Sequence, residues 1–162
     1  METFDKEQAY QEAVSEINAI LEGETNMILK MVTINCVLKQ HLPYYYWVGF
    51  YVVNKGQLMV GPYQGTLGCL HIPFSKGICG RAAQTETVQL VENVHEDPLH
   101  IACDSRTNSE IVLPVWDNTG TLIAVFDVDS TDLGAFDAVD QAYLAPLLER
   151  HFKKSALVQS YE

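Results

Sequence analysis

Cys103 stands in the run Ile101-Ala102-Cys103-Asp104-Ser105-Arg106-Thr107-Asn108-Ser109-Glu110, just ahead of an apolar segment. The thiolate is the reactive form of cysteine, and a polar loop carrying arginine favours it, so this thiol is placed to react rather than to pack. Cys69 and Cys79 lie upstream in glycine-rich segments, where backbone can approach closely. Glu110, Asp127 and Asp129 project from what read as neighbouring strands. Together these residue types point to thiol redox chemistry beside a pocket edged with acids.

Each residue also has a plainer reading. Cys79, in Lys76-Gly77-Ile78-Cys79-Gly80, falls at a predicted helix start, where free N–H groups and the helix dipole lower a thiol pKa. Cys36 sits on an apolar helical stripe and is expected in the core, as free cysteines commonly are. For Cys69, Cys79 and Cys103 the local sequence leaves packing and reaction both open, and spacing does not say which thiols can meet. Asp127 and Asp129 alternate with Phe126 and Val128, so both carboxylates leave one side of a strand. Either they share a cavity, where one keeps a proton near neutral pH, or they end the strand and bond turn N–H groups. Trp47 and Tyr51 share a strand face and form either an aromatic wall or core. A metal site from Cys69, His71 and Cys79 with His95 or His100 is the alternative. It lacks a Cys-x-x-Cys pair and a matching histidine pair, so no metal is expected. His41 and His151 read as surface residues without partners.

The chain has 162 residues, of which 48% are hydrophobic and 19% charged. That balance supports one globular domain, residues 1–162, and excludes disorder. Ten basic against twenty-one acidic residues leave a net charge of −11, the wrong sign for nucleic acid or an anionic membrane surface. No apolar run approaches the length of a membrane span. The opening Met-Glu-Thr-Phe-Asp-Lys lacks the basic and apolar regions of a secretory signal. A cytoplasmic location is therefore expected, where any disulfide is more naturally catalytic than structural.

The elements that must position these groups follow from periodicity. Val14, Ile17, Ile20 and Leu21, then Ile28, Met31, Val32, Asn35 and Cys36, mark two helices. Gly23 separates them, and Glu24 or Thr25 opens the second. Residues 45–53 and 57–61 read as strands around an Asn54-Lys55-Gly56 hairpin turn. A short strand near Leu70–Ile72, a helix over Ile78–Thr85 and a strand over Val88–Val91 follow. Residues 92–108 form a long polar loop with a helical turn near Leu99–Cys103; ordered loops of this length are commonly functional. Strands Ser109–Val115 and Leu122–Val128 flank the turn Asp117-Asn118-Thr119-Gly120. A last helix runs from about Ala135 to Leu157, kinked or broken at Pro146. The fold class is α+β: an antiparallel sheet, helices from both termini on one face, and a loop-lined pocket on the other.

Six segments stand out: Trp47-Val48-Gly49-Phe50-Tyr51, Gly61-Pro62-Tyr63-Gln64-Gly65, Ile72-Pro73-Phe74-Ser75-Lys76-Gly77-Ile78-Cys79-Gly80, Asp97-Pro98-Leu99-His100-Ile101-Ala102-Cys103-Asp104, Ser109-Glu110-Ile111-Val112-Leu113-Pro114 and Phe126-Asp127-Val128-Asp129-Ser130. Together they resemble the free methionine-(R)-sulfoxide reductases, a family of single GAF domains. The resemblance implies that Cys103 is the nucleophile, Cys69 resolves it through a disulfide, and Cys79 is accessory. It implies that Glu110, Asp127 and Asp129 contact the sulfoxide and that Trp47 and Tyr51 line the pocket for the methyl end. Backbone N–H groups of the 92–103 loop would take the substrate carboxylate, and a protein carboxylate its ammonium. The implied partners are free methionine sulfoxide and thioredoxin as reductant, with no cofactor and a homodimer as a common assembly. GAF domains also serve as non-catalytic ligand-binding or redox-sensing modules, which is the competing reading.

Overall fold

Helices α1 (Lys6–Ile20) and α2 (Met27–His41) lead into six strands: β1 (Trp47–Asn54), β2 (Gln57–Gln64), β3 (His71–Pro73), β4 (Gln89–Val91), β5 (Ser109–Trp116) and β6 (Leu122–Ser130). Helix α3 (Gly77–Thr85) lies between β3 and β4, and α4 (Ala138–Leu148) follows β6. The computed structural model describes residues 3–154. The strands form one antiparallel sheet in the order β3-β2-β1-β6-β5-β4. No described helix is long and apolar enough to cross a membrane.

Strand alternation divides the interior in two. Val48, Phe50, Leu113 and Phe126 point to α1, α2 and α4 and join the larger core, where the Phe50 and Phe126 rings lie 4.7 Å apart. Trp47, Tyr51, Val112 and Val125 point the other way, into a smaller cluster with Ile78, Ala82 and Cys79 of α3. The site belongs to this second face.

Local chemistry explains the ends of the elements. Asp5 and Asn26 cap α1 and α2 by accepting from the Gln8 and Leu29 N–H groups. The β1–β2 turn places Lys55 and Gly56 at φ 53° and 77°, the left-handed pair a tight hairpin requires. Between β5 and β6, the Asp117 side chain accepts from the N–H groups of Thr119 and Thr121. On the helical face the fully buried Asp140 carboxylate accepts from the Tyr10 and Tyr44 hydroxyls and pairs with Lys6 at 2.7 Å. That network ties the start of the chain to α4.

Ile17, Leu21, Met31 and Asn35 are buried as expected, but the rest of each helical stripe is rotated. In α1 the buried residues are Ala9, Tyr10, Ala13 and Ile17, while Ile20 is exposed. In α2 they include Met27, Met31, Ile34 and Leu38, while Ile28 and Val32 are exposed and Cys36 is half-buried. Cys36 is therefore not a core residue. Small Ala9 and Ala13 and the anchored Tyr10 hydroxyl decide which face of α1 turns inward. Helix α2 starts two or three residues after the expected point, behind Asn26.

Other differences have equally local causes. The loop after β4 has its helical turn at Val94–Glu96, where Asn93 accepts from the His95 N–H, and not near Cys103. Strand β6 continues two residues past the expected end because Ser130 pairs with Ser109. The last helix begins at Ala138, behind the Asp137 capping box, and Pro146 lies within α4. Hydrogen bonding widens immediately afterwards to a π turn over Glu149–Lys153. Residues 155–157 of the expected helix lie outside the described residues. His41 is not partnerless: its Nε2 lies 2.8 Å from the Glu16 carboxylate. His151 is buried rather than exposed, with its Nε2 2.7 Å from the Asn18 amide oxygen.

Candidate active site

The β5–β6 register sets Glu110 opposite Asp129 and Val112 opposite Asp127. All three acids then face α3 from adjacent strands, and one oxygen of each lies within 4.8 Å of the others. Glu110 and Asp127 are 7% and 4% exposed. Asp129 is half-buried as a residue, but its Oδ1 is enclosed. Burial, and then the charge of its neighbours, pushes each carboxyl well above its ordinary range. Burial thus favours the protonated form of each carboxyl. Asp127 Oδ1 and Asp129 Oδ1 have no hydrogen-bond partner among the described residues. Such an atom costs about 1–3 kcal/mol when left unmet, so the cavity is built for a polar occupant.

An aromatic wall stands beside the acids. The Trp47 ring stacks on Tyr51 at 5.6 Å and on Tyr63 at 5.0 Å. Gly49 makes this possible: a Cβ there would collide with Tyr63 Cβ and lie 2.7 Å from the Trp47 ring. Gly68 holds the next approach, since its Cβ would meet Trp47 at 3.0 Å and the Tyr51 hydroxyl at 3.1 Å. Tyr63, Gly49 and Gly68 were given no role in the site from sequence. The available signal was a glycine at the centre of an aromatic strand, which marks close approach. Gly49→Ala should destabilise the fold by about 1–3 kcal/mol and displace Trp47. Urea unfolding with tryptophan emission as the probe reads both effects.

At the mouth of the cavity Cys69 and Cys103 are joined by a disulfide, with Cα atoms 5.5 Å apart. Cys103 is exposed and Cys69 half-buried. Asp104 braces the two loops that carry them. Its Oδ2 accepts from the Thr66 hydroxyl and from the Tyr46 hydroxyl, each at 2.7 Å, and its Oδ1 accepts from Arg106 Nε at 3.0 Å. The Arg106 side chain first, with Thr66 after it, holds the Asp104 carboxyl below the usual carboxylate range. Sequence reasoning gave Asp104 no role of its own, because its partner Thr66 is distant in the chain.

Cys79 departs from expectation. It is the third residue of α3 and remains a thiol, but it is buried. Burial, then the charge of Asp127, raises its pKa instead of lowering it. Its side chain points into the acid cluster, where desolvation outweighs the helix dipole. The metal set considered from sequence is not assembled: Cys69 is bonded to Cys103 and His71 is exposed. The group with metal-ligand spacing is Glu110, Asp127 and Asp129, whose protons a hard cation would first have to displace.

The comparisons with known proteins fit this geometry. Residues 43–149 match the model of a GAF domain. A free methionine-R-sulfoxide reductase of Escherichia coli is 37% identical over 145 residues, 90% of this chain and 87% of that one. The chain belongs to the GAF family, among its free methionine-R-sulfoxide reductases. A solved reductase from Neisseria meningitidis, described in complex with its substrate, is 37% identical with a TM-score of 0.86, covering 94% of this chain and 93% of that one. The reduced form of the Staphylococcus aureus enzyme is 33% identical at the same score, covering 95% and 98%. The α+β GAF architecture expected from sequence is therefore the observed one, with terminal helices on one sheet face and the cavity on the other.

Within this GAF domain Trp47, Tyr51, Cys79, Cys103, Glu110, Asp127 and Asp129 all line one cavity. Cys69 joins it through the disulfide. His100 also lines the cavity and was considered from sequence only as a metal ligand.

Proposed function

We propose that this single GAF domain reduces free L-methionine (R)-sulfoxide to L-methionine with its own thiols and no cofactor. The observation that carries the reading is a cysteine pair meeting at the mouth of a cavity floored by three carboxyls whose burial raises their proton affinity. The relatives' activity supports it.

In the reduced protein the Cys103 thiolate attacks the electrophilic sulfur of the sulfoxide. The sulfoxide oxygen accepts a proton from the carboxyl cluster, since unprotonated oxide is a poor leaving group. The sulfur–oxygen bond of the substrate breaks as oxygen passes to Cys103. Methionine leaves with two electrons gained, and Cys103 becomes a sulfenic acid. Cys69 then displaces hydroxide, which leaves as water, and the disulfide forms. A dithiol reductant, thioredoxin in a cytoplasmic setting, restores both thiols by exchange. Trp47 and Tyr51 pack the S-methyl group, while Glu110, Asp127 and Asp129 hold the oxygen.

Stereochemistry tests the reading. With thioredoxin, its reductase and NADPH, the free (R) epimer should drive NADPH oxidation, whereas the (S) epimer and a sulfoxide within a peptide should not. Turnover of the peptide at a rate equal to the free amino acid would overturn the assignment.

A further inference from the structure

The two loops that carry the cysteines are tied by contacts that contain no sulfur. Thr66, three residues before Cys69 in the loop between β2 and β3, is the hub. Its hydroxyl donates to Asp104 Oδ2 at 2.7 Å, and Asp104 directly follows Cys103. Its carbonyl accepts from Trp47 Nε1 at 2.8 Å. Gly65 permits this seat: a Cβ there would lie 2.7 Å from the Trp47 ring and 3.1 Å from the Tyr46 carbonyl oxygen. Its φ of 130° also favours glycine. Further along the loop the Leu70 carbonyl accepts from the Val60 N–H at 3.0 Å. On the opposite side Asp104 has anchors besides Thr66. Its Oδ2 accepts from the Tyr46 hydroxyl, and its Oδ1 accepts from the Arg106 backbone N–H and Nε at 2.9 and 3.0 Å. The Arg106 guanidinium in turn lies 5.5 Å from the centre of the Tyr46 ring.

The redox cycle gives such a tie a task. Reduction breaks the Cys69–Cys103 bond, which joins residues 34 apart in the chain. Once Cys103 is a sulfenic acid, the Cys69 thiol must reach it before a second oxidant drives it to the sulfinic acid, a step that thiols do not reverse. A group held at contact range reacts at an effective concentration far above that of one on a free loop. The Thr66–Asp104 bond spans the two loops without sulfur, so reduction does not cleave it. Asp104 is ionised by Arg106 and Thr66, and a carboxylate only accepts, so the Thr66 hydroxyl is the donor.

We propose that Thr66 and Asp104 are positioning residues for the resolving step: their hydrogen bond keeps the Cys69 loop beside Cys103 in the reduced protein, so that disulfide closure outruns overoxidation. The inference rests on the thiol cycle of the proposed reduction. In the step concerned the Cys69 thiol loses its proton and its sulfur attacks that of Cys103. The sulfur–oxygen bond of the sulfenic acid breaks, and the departing hydroxide takes the proton and leaves as water.

Two variants test the role. Thr66→Val removes the hydroxyl but keeps the side-chain shape and the carbonyl that Trp47 holds, whereas Thr66→Ser keeps the hydroxyl. Each reduced protein is mixed with free methionine (R)-sulfoxide or, separately, with one equivalent of hydrogen peroxide, which also oxidises a thiolate to a sulfenic acid. Dimedone is present throughout. Mass spectrometry counts the Cys103 adduct against the Cys69–Cys103 disulfide, and rapid quench counts methionine. Wild type and Thr66→Ser should close the disulfide with little adduct. Thr66→Val should release its first methionine at the wild-type rate, close the disulfide about tenfold or more slowly, and accumulate the Cys103 adduct with both oxidants. Closure in Thr66→Val at the wild-type rate, or equal slowing in Thr66→Ser, would refute the positioning role. If the sulfoxide oxidises no thiol of the wild type while peroxide still exposes the Thr66→Val defect, the proposed reduction fails and the positioning role stands.

Discussion

Cys103→Ser should lose sulfoxide reduction by at least about a thousandfold, which corresponds to some 4 kcal/mol of barrier. A serine hydroxyl cannot take oxygen from a sulfoxide to give a sulfenic acid. Cys69→Ser should behave differently. Its nucleophile is intact, so each protein should release about one methionine and then stall with Cys103 oxidised. Rapid-quench counting of methionine separates the two variants, and dimedone labelling should mark Cys103 only in Cys69→Ser. An equal burst from both would show that Cys103 is not the attacking thiol. The contrast follows from the bond at the cavity mouth: only one of its sulfurs, that of Cys103, belongs to an exposed residue.

The sequence made the strands and their facing largely legible, because they carry period-two patterns that one-sided burial enforces. The facing of Asp127 and Asp129 is one example, and that of Trp47 and Tyr51 another. Helix facing was harder. In α2 nine of the fifteen positions are apolar and they fall on more than one side, so periodicity could not choose between the Met31 and Val32 sides. Pairing between distant loops left no local trace, which is why Thr66, Asp104 and Tyr46 were missed as a brace. Cys79 shows a further limit. Its position in the helix was correctly read, but its proton affinity depends on burial first and then on Asp127, forty-eight residues away along the chain. The pairing of Cys69 with Cys103 came from family likeness and not from spacing, since a disulfide is decided by the geometry of two loops.

Glu110→Gln is expected to divide catalysis from stability. The amide can still donate a hydrogen bond to the sulfoxide oxygen but cannot transfer a proton, so kcat should fall by about 10²–10⁴-fold with KM much less affected. Folding should respond in the opposite sense. In wild type the folded Glu110 keeps its proton above the ordinary carboxylate range, while the unfolded chain releases it there. The native state then binds more protons than the unfolded state, and stability is lost as pH rises through that interval. Each such proton contributes a slope of about 1.4 kcal/mol per pH unit. Glu110→Gln removes one of them, so it should unfold at higher urea than wild type at pH 7 and match it near pH 4. The acid side has a separate origin. Burial lowers the His151 pKa to about 4, so its contribution is present above the unfolded histidine range and fades as pH falls toward that value. Urea midpoints from pH 4 to 9 should therefore show a flattened neutral-to-alkaline limb in Glu110→Gln and an unchanged acid limb. Parallel curves for the two proteins would mean that Glu110 is ionised in the folded state, and the proton needed by the sulfoxide oxygen would have to come from Asp127 or Asp129.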